Sequence, residues 1–374
     1  MDSLIASSSV MIYFSVLPDP RKLRNQLYSL HDLISTSILS TLCGFDDYHD
    51  MNLWVEENID WLQSVGICLE GAPSHDTYER FFKHLDANAF QNCFMKWTQS
   101  LSKTFGGVIA IDGKTLCNSG DQSTNPIHVV SAFAAENSLV LGQLKCSGKG
   151  KELETIQKLL EILDVKGAIV TIDAGGCHKV IAEKIRDKKG DYILALKGNQ
   201  GTLHDEVSYF FEEAVKVKPE EADCDYWCTE EKTRGRCEKR EVWACQMLDW
   251  LPQLELWKDL QSIVCIKSTR HEKGKTSEES RFYISSLPGN ASRLGKAIRD
   301  HWGIENKVHW QLDVTYREDL SRVRKGNGAE NLSTLRRATL NLLKEDKSNK
   351  HSLKKKRSKA CLNRKYLLSL IGVK

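Results

Sequence analysis

At 374 residues, with 41% hydrophobic and 28% charged side chains, the chain is long enough for more than one domain with a buried core. A formal net charge of +3 permits a nucleic-acid partner without demanding one. Leu33–Phe45 is broken by Ser and Thr and falls far short of the ~20 apolar residues of a membrane span. No basic stretch leads into the apolar patch Met11–Leu17, and the twelve cysteines lack a framework of paired short spacings. The expectation is a cytoplasmic protein with reduced thiols and no membrane partner.

Residues 1–105 read as an N-terminal helical domain. His31–Cys43 and Met51–Val65 carry apolar residues three and four apart. Ser74 is placed to cap a helix whose apolar side is Tyr78, Phe81 and Phe82. Two readings of that helix stand. It is the second helix of a helix-turn-helix presenting His75, Arg80 and Lys83 to DNA, or it is a bundle helix packed on the next part of the chain.

Residues 106–200 change to an α/β texture. Val108–Lys114 is a short apolar strand carrying Asp112, and Ile127–Glu136 and Leu139–Cys146 are strands joined tightly at Glu136-Asn137-Ser138. A helix follows over Glu152–Asp164, then the strand Ala168–Ala174 with Asp173 at its end, a helix over Cys177–Lys188, and the strand Asp191–Lys197. This order predicts a mixed sheet with flanking helices. A strand hidden on both faces puts its terminal Asp at the sheet rim, where open α/β folds bind ligands. Taken singly, each Asp also fits an ordinary turn cap.

Residues 201–279 break that rhythm and read as a β-rich insertion. Trp227 and Trp243 suit core packing there better than stacking on an extruded base. Cys224, Cys228, Cys237 and Cys245 invite zinc, but their spacing lacks C-x2-C knuckles, so free thiols and no zinc are expected. Residues 280–345 start with a strand over Arg281–Ser286 and continue into a helix through Asn290–Arg317. On it Leu294, Ile298, Trp302, Glu305, His309 and Leu312 recur three and four apart, while Asp300 points to solvent. A carboxylate in the middle of an apolar stripe must meet a cation, either a basic side chain or a metal. A second helix is expected from Val314 to Leu343. In the tail, residues 346–374, Lys344–Lys365 holds ten Lys/Arg against two acids, which reads as a solvated, mobile end or a phosphate-binding arm.

The order of an Asp on a first strand, an Asp on a later strand and a Glu on a helix after an insertion resembles the DDE transposases of bacterial insertion sequences. More closely it resembles their H-repeat-associated, transposase-like members, through SHDTYERFFKHLDANAFQNCFMKW, VIAIDGKTL, HVVSAFAAENSLVLGQ, IVTIDAGGCHK, DYILALKGNQ and the long run from RDHWGIENKVHWQLDV to NLLK. The resemblance spans roughly residues 25–345. It implies a ribonuclease-H-like core and a divalent-metal site made by Asp112, Asp173 and Glu305.

Such hard oxygen donors suit Mg²⁺ or Mn²⁺. Two ions roughly 3.5–4 Å apart can activate water or a 3′-hydroxyl and stabilise a leaving oxygen. The implied activity is transposition: cleavage of double-stranded DNA at element ends and strand transfer into target DNA, by a homo-oligomer on paired ends, nucleoid-associated while bound. Lys114, Lys197, His301, Lys307 and His309 are candidates for holding the DNA backbone. Two places depart from the pattern. His301 stands where many members have Arg, and Cys117 where close relatives are commonly basic. Two other readings share these residues: a catalytically silent DNA-binding relative, and a metal-dependent nuclease without strand transfer.

Overall fold

The computed structural model describes residues 5, 8–22, 26–101, 106–121, 123–148, 150–214, 216, 219–233 and 235–373. The N-terminal helices are α1 (Ser9–Phe14), α2 (Leu30–Cys43), α3 (Tyr48–Glu57), α4 (Ile59–Ser64), α5 (His75–His84) and α6 (Ala87–Ser100). Helix α2 starts in a capping box, with the Ser29 and Asp32 side chains each taking the other's backbone N–H. Its Ser/Thr-rich run is buried nearly end to end. The hydroxyls survive burial by bonding locally: Thr36 to the Asp32 carbonyl at 2.6 Å, Ser37 to Leu33 at 2.6 Å, and Thr36 with Tyr78 Oη at 2.7 Å.

The loop from α4 to α5 runs through residues 65–74, far longer than the 3–4-residue turn of a helix-turn-helix. His75 stacks on His49 with centroids 4.1 Å apart, and Lys325 pairs with Glu79 at 2.7 Å, bringing the residue 321–328 loop against α5. The long loop and these contacts fit the bundle reading of α5.

The strands are β1 (Val108–Thr115), β2 (His128–Ala134), β3 (Leu139–Lys145), β4 (Ile169–Ile172), β5 (Asp191–Leu196), β6 (Cys224–Thr233), β7 (Arg236–Cys245), β8 (Ser262–Glu272) and β9 (Lys275–Ser285). Among the described residues they form one mixed sheet in the order β3-β2-β1-β4-β5-β9-β8-β7-β6. Strands β1, β4 and β5 run parallel; the remaining neighbours are antiparallel. Helices α7 (Glu152–Ile162) and α8 (Lys179–Asp187) make the crossovers into β4 and β5, and α9 (Gly201–Ala214) leads to the long hairpins. Those hairpins continue the same sheet through β9. Cys224 lies opposite Cys245, Cys228 opposite Glu241 and Cys237 opposite Lys232, so the four thiols are strung along one hairpin. Trp243 is buried, and Trp227 is half-buried against Gly295.

Helix α10 (Ala291–His301) lies over β1 and β4. The expected continuous helix ends there. Residues Glu305–His309 form a π turn, followed by α11 (Trp310–Val314). A π turn inserts an extra residue, so the apolar stripe shifts phase. The buried set is Leu294, Ile298, Ile304, Val308 and Leu312. Trp302 and Glu305, expected on the greasy face, are exposed instead.

The second helix, α12 (Gly328–Glu345), begins well after Val314 and is buried along most of its length. It ties the N-terminal helices to the sheet through side-chain amides. Asn331 donates to the Phe82 and Leu85 carbonyls, Gln143 donates to Thr334, and Asn341 both accepts from the Val140 N–H at 2.9 Å and donates to its carbonyl at 2.8 Å. The basic tail is not loose. It forms α13 (Leu353–Leu362) and α14 (Arg364–Leu370) against α2. The buried Arg357 guanidinium donates to the Thr41 and Thr315 carbonyls, pairs with Asp46 and lies 4.2 Å from the Tyr316 ring centroid. Among the described residues no helix is long and apolar enough to cross a membrane.

Candidate active site

The register of the two parallel strands sets the site. Ile111 of β1 stands beside Ile172 of β4, so the next residues, Asp112 and Asp173, emerge from neighbouring strands at matching heights. Adjacent strands lie about 4.8 Å apart, which brings the two backbones together without help from any loop. Asp112 is not at a strand end, since β1 runs on to Thr115; Asp173 does leave β4 and caps the turn Ala174–Gly176. Each carboxylate is steadied by a backbone N–H: Gly113 N donates to Asp112 at 2.8 Å and Gly175 N to Asp173 at 3.1 Å.

Asp112, Asp173, Lys197, His301, Trp302 and Glu305 line one cleft of about 250 Å³. Its far wall is β9, where Arg281 pairs with Glu279 and lies 4.6 Å from the Trp302 ring centroid. The cleft opens there into a groove of about 860 Å³ over β6–β9 and α10. Several of that groove's arginines are matched by Glu231 and Glu238.

Histidine 301 closes α10 with Nδ1 2.9 Å from Thr171 Oγ1, and burial pushes its pKa below the ordinary value. Burial pushes Asp112 up to about 7, and the facing charges of Asp173, Glu152 and Glu305 add to that rise.

The other expected basic contacts lie elsewhere. Lys114 is only 8% exposed and holds Asp313 at 2.6 Å and Asp319 at 3.2 Å, so its charge is spent inside the protein. Lys307 reaches Ser138 at 3.4 Å, outside the cleft lining. His309 turns inward, its Nδ1 3.5 Å from Asp112 Oδ2. Burial, with Arg337 and Lys114 nearby, lowers its pKa to about 3, so it meets Asp112 as a neutral ring. Arg80 is exposed and donates to the Asp76 carbonyl, and Lys83 is half-buried against the loop at Gly326. Cys117 Sγ lies 3.4 Å from Asp319.

A family model described as transposase DDE domain matches residues 103–342, and one described as DDE_Tnp_1-associated matches residues 11–98. The chain belongs to the transposase DDE domain family. Similar proteins include "Putative transposase YncI" of Escherichia coli O157:H7, 39% identical over 97% of this chain and 94% of its own length. The "H repeat-associated putative transposase YhhI" of Escherichia coli strain K12 is 38% identical over 97% of both chains, which bears out the H-repeat-associated resemblance. Among solved structures, a piggyBac transposase synaptic complex with hairpin DNA covers 98% of this chain and 77% of its own, at 12% identity and TM-score 0.47.

In this DDE-family chain the donor chemistry fits a hard divalent cation, since the acids facing the cleft offer only oxygens and repel one another. Among the described residues, however, no three His, Cys, Asp or Glu side chains already stand close enough to grip one. One acid near the aspartates escaped the sequence reading. Glu152, first residue of α7, sits beside Gly113 and Gly175. As an acid in the first turn of an amphipathic helix it carries no signal of its own.

Proposed function

We propose that this chain is an active DNA transposase with a ribonuclease-H-like core, in which Asp112, Asp173 and Glu305 hold Mg²⁺ or Mn²⁺. The observation that carries the reading is the matched height of Asp112 and Asp173 on parallel β1 and β4, with Glu305 across the same cleft. The strand order β3-β2-β1-β4-β5, in which only β2 runs against the other four, supports the core assignment. Bound there, two divalent ions supply an activated oxygen nucleophile and stabilise the leaving oxygen of an in-line displacement at phosphorus.

The chain's own groups do the rest. Asp112 and Asp173 are aimed by the Gly113 and Gly175 N–H groups, and the exposed Glu305 closes the donor set from the π turn. His301, neutral and bound to Thr171, fixes the end of α10 ahead of Glu305. Lys197, exposed at the cleft, meets a backbone phosphate of double-stranded DNA. The substrates are the element's ends and a target duplex, and a homo-oligomer holds the paired ends in the cytoplasm.

Supercoiled DNA bearing the element ends, incubated with Mg²⁺, tests this. The parent nicks it and joins a 3′-end to target, while Asp112→Asn does neither yet binds the same DNA. Cleavage by Asp112→Asn at the parent rate refutes the assignment. A second reading, a silent DNA-binding relative, draws on the absence, among the described residues, of a ready-made three-acid cluster. Binding by the parent without any nicking would favour it, and nicking without joining would mark a nuclease.

A further inference from the structure

Three acids account for the family's name, but the surroundings of the two aspartates hold a fourth. A Cβ built on Gly113 would fall 2.4 Å from Glu152 Oε1 and 2.5 Å from His128 Nε2. A Cβ built on Gly175 would fall 3.3 Å from Asp173 Oδ1 and 3.8 Å from Glu152 Oε2. The Glu152 carboxylate thus occupies the room that glycine leaves beside Asp112, and it shares with Asp173 the space beside Gly175. Its other neighbour is His128 of β2, Nε2 to Oε1 3.6 Å, and His128 Nδ1 is in turn 3.0 Å from Thr115 Oγ1.

A glutamate with no functional duty would turn to solvent from the first turn of α7. This one is half-buried, lies 3.6 Å from a histidine nitrogen and is turned over the glycine after Asp112.

We propose that Glu152 is a fourth carboxylate of the Asp112–Asp173 cation site, held over Gly113 by His128 and serving one of the two divalent ions directly or through a bound water. The proposal rests on the metal-dependent function proposed for this chain and adds a ligand to it. Losing Glu152 weakens the ion it serves and leaves the other.

The experiment is Mn²⁺ titration of the full-length protein by calorimetry and by the electron paramagnetic resonance of free Mn²⁺, without DNA, on the parent, Asp112→Asn, Glu152→Gln and Gly113→Ala. The expected result is two ions on the parent and none on Asp112→Asn. Glu152→Gln should keep one ion at parental affinity and bind the second roughly 10–100-fold more weakly, the range seen when a supporting ligand is removed. Gly113→Ala leaves Glu152 in the sequence but fills its place with a methyl group, and should reproduce the Glu152→Gln isotherm. Thermal melts of the same samples check folding, and the isosteric Glu152→Gln should melt with the parent.

Parental affinity for both ions in Glu152→Gln, with Asp112→Asn binding none, overturns the fourth-ligand assignment and leaves the three-acid site standing. Parental binding by Asp112→Asn, or no Mn²⁺ on the parent, overturns the underlying metal-dependent function as well.

Discussion

Lysine 344 offers a test in which charge burial can be read quantitatively. It sits in the last turn of α12 with a half-exposed stem, but its Nζ is buried without a hydrogen-bond partner, 5.0 Å from the Phe133 ring centroid. Burial, helped by repulsion from Lys307 and Lys347, lowers its pKa from 10.5 to about 7. Between those values the unfolded chain holds a proton that the folded chain has lost, so stability rises with pH. The slope is at most about 1.4 kcal/mol per pH unit, or roughly 4–5 kcal/mol across the whole interval. Below pH 7 both states are protonated, and the cost is full and constant.

Lys344→Met keeps an unbranched stem and puts a thioether beside Phe133, a favourable contact. The variant should be more stable than the parent by several kcal/mol at pH 6–7, on the order of that burial cost. Its advantage should shrink steadily toward pH 10. Urea unfolding of both proteins at pH 6, 7, 8 and 9 gives the difference curve, in which groups common to both cancel. A difference that does not change with pH, or a variant less stable at pH 7, would refute the reasoning. Either would mean that the amine keeps its proton in the fold.

Charges already placed in the fold give two further outcomes. Arg337 and Glu318 form an ion pair at 3.0 Å with both side chains at most 1% exposed. Removing one member, as in Arg337→Met, strands the other and should cost about 3–5 kcal/mol in urea unfolding, whereas the double variant Arg337→Met/Glu318→Gln should recover much of it. The two lysines separate by salt dependence. Lys197→Ala should reduce the slope of log affinity for duplex DNA against log salt by about 0.9, while Lys114→Ala, which frees Asp313 and Asp319, should leave that slope unchanged and lower the melting temperature.

The strands that carry the aspartates were legible because VIAID and IVTID are apolar runs with one charged residue, and no other local pattern competes with a buried strand there. The tight β2–β3 turn was legible too, and Ser138 takes the positive φ of 57° that such a turn requires. What brings Asp112 level with Asp173 is parallel register, which no single segment encodes.

Glu305 shows the limit of periodicity. The spacing 298, 302, 305 fits a continuous helix, but the π turn resets the phase so that Ile304 and Val308 are buried instead. Helix α12 was expected from Val314 but starts only at Gly328, and the burial of its Asn, Thr and Ser residues comes from partners on β3 and α5 that its own segment does not encode. In the tail, the charge count concealed Arg357, whose guanidinium donates to the Thr41 carbonyl, 316 residues away in the chain. Glu152 was invisible because its meaning comes from Gly113 and His128, neither of which is near it in sequence.

The amide of Asn341 has a consequence for how copies of this molecule meet. By accepting from the Val140 N–H and donating to its carbonyl, it occupies both backbone groups that an incoming strand would use at that point of β3. A side chain from a buried helix thus stands in for a tenth strand and terminates the sheet. Growth by strand addition at that margin requires tearing α12 from its seat. At that point the sheet cannot be extended from β3, and among the described residues its other margin, β6, has no such amide against it.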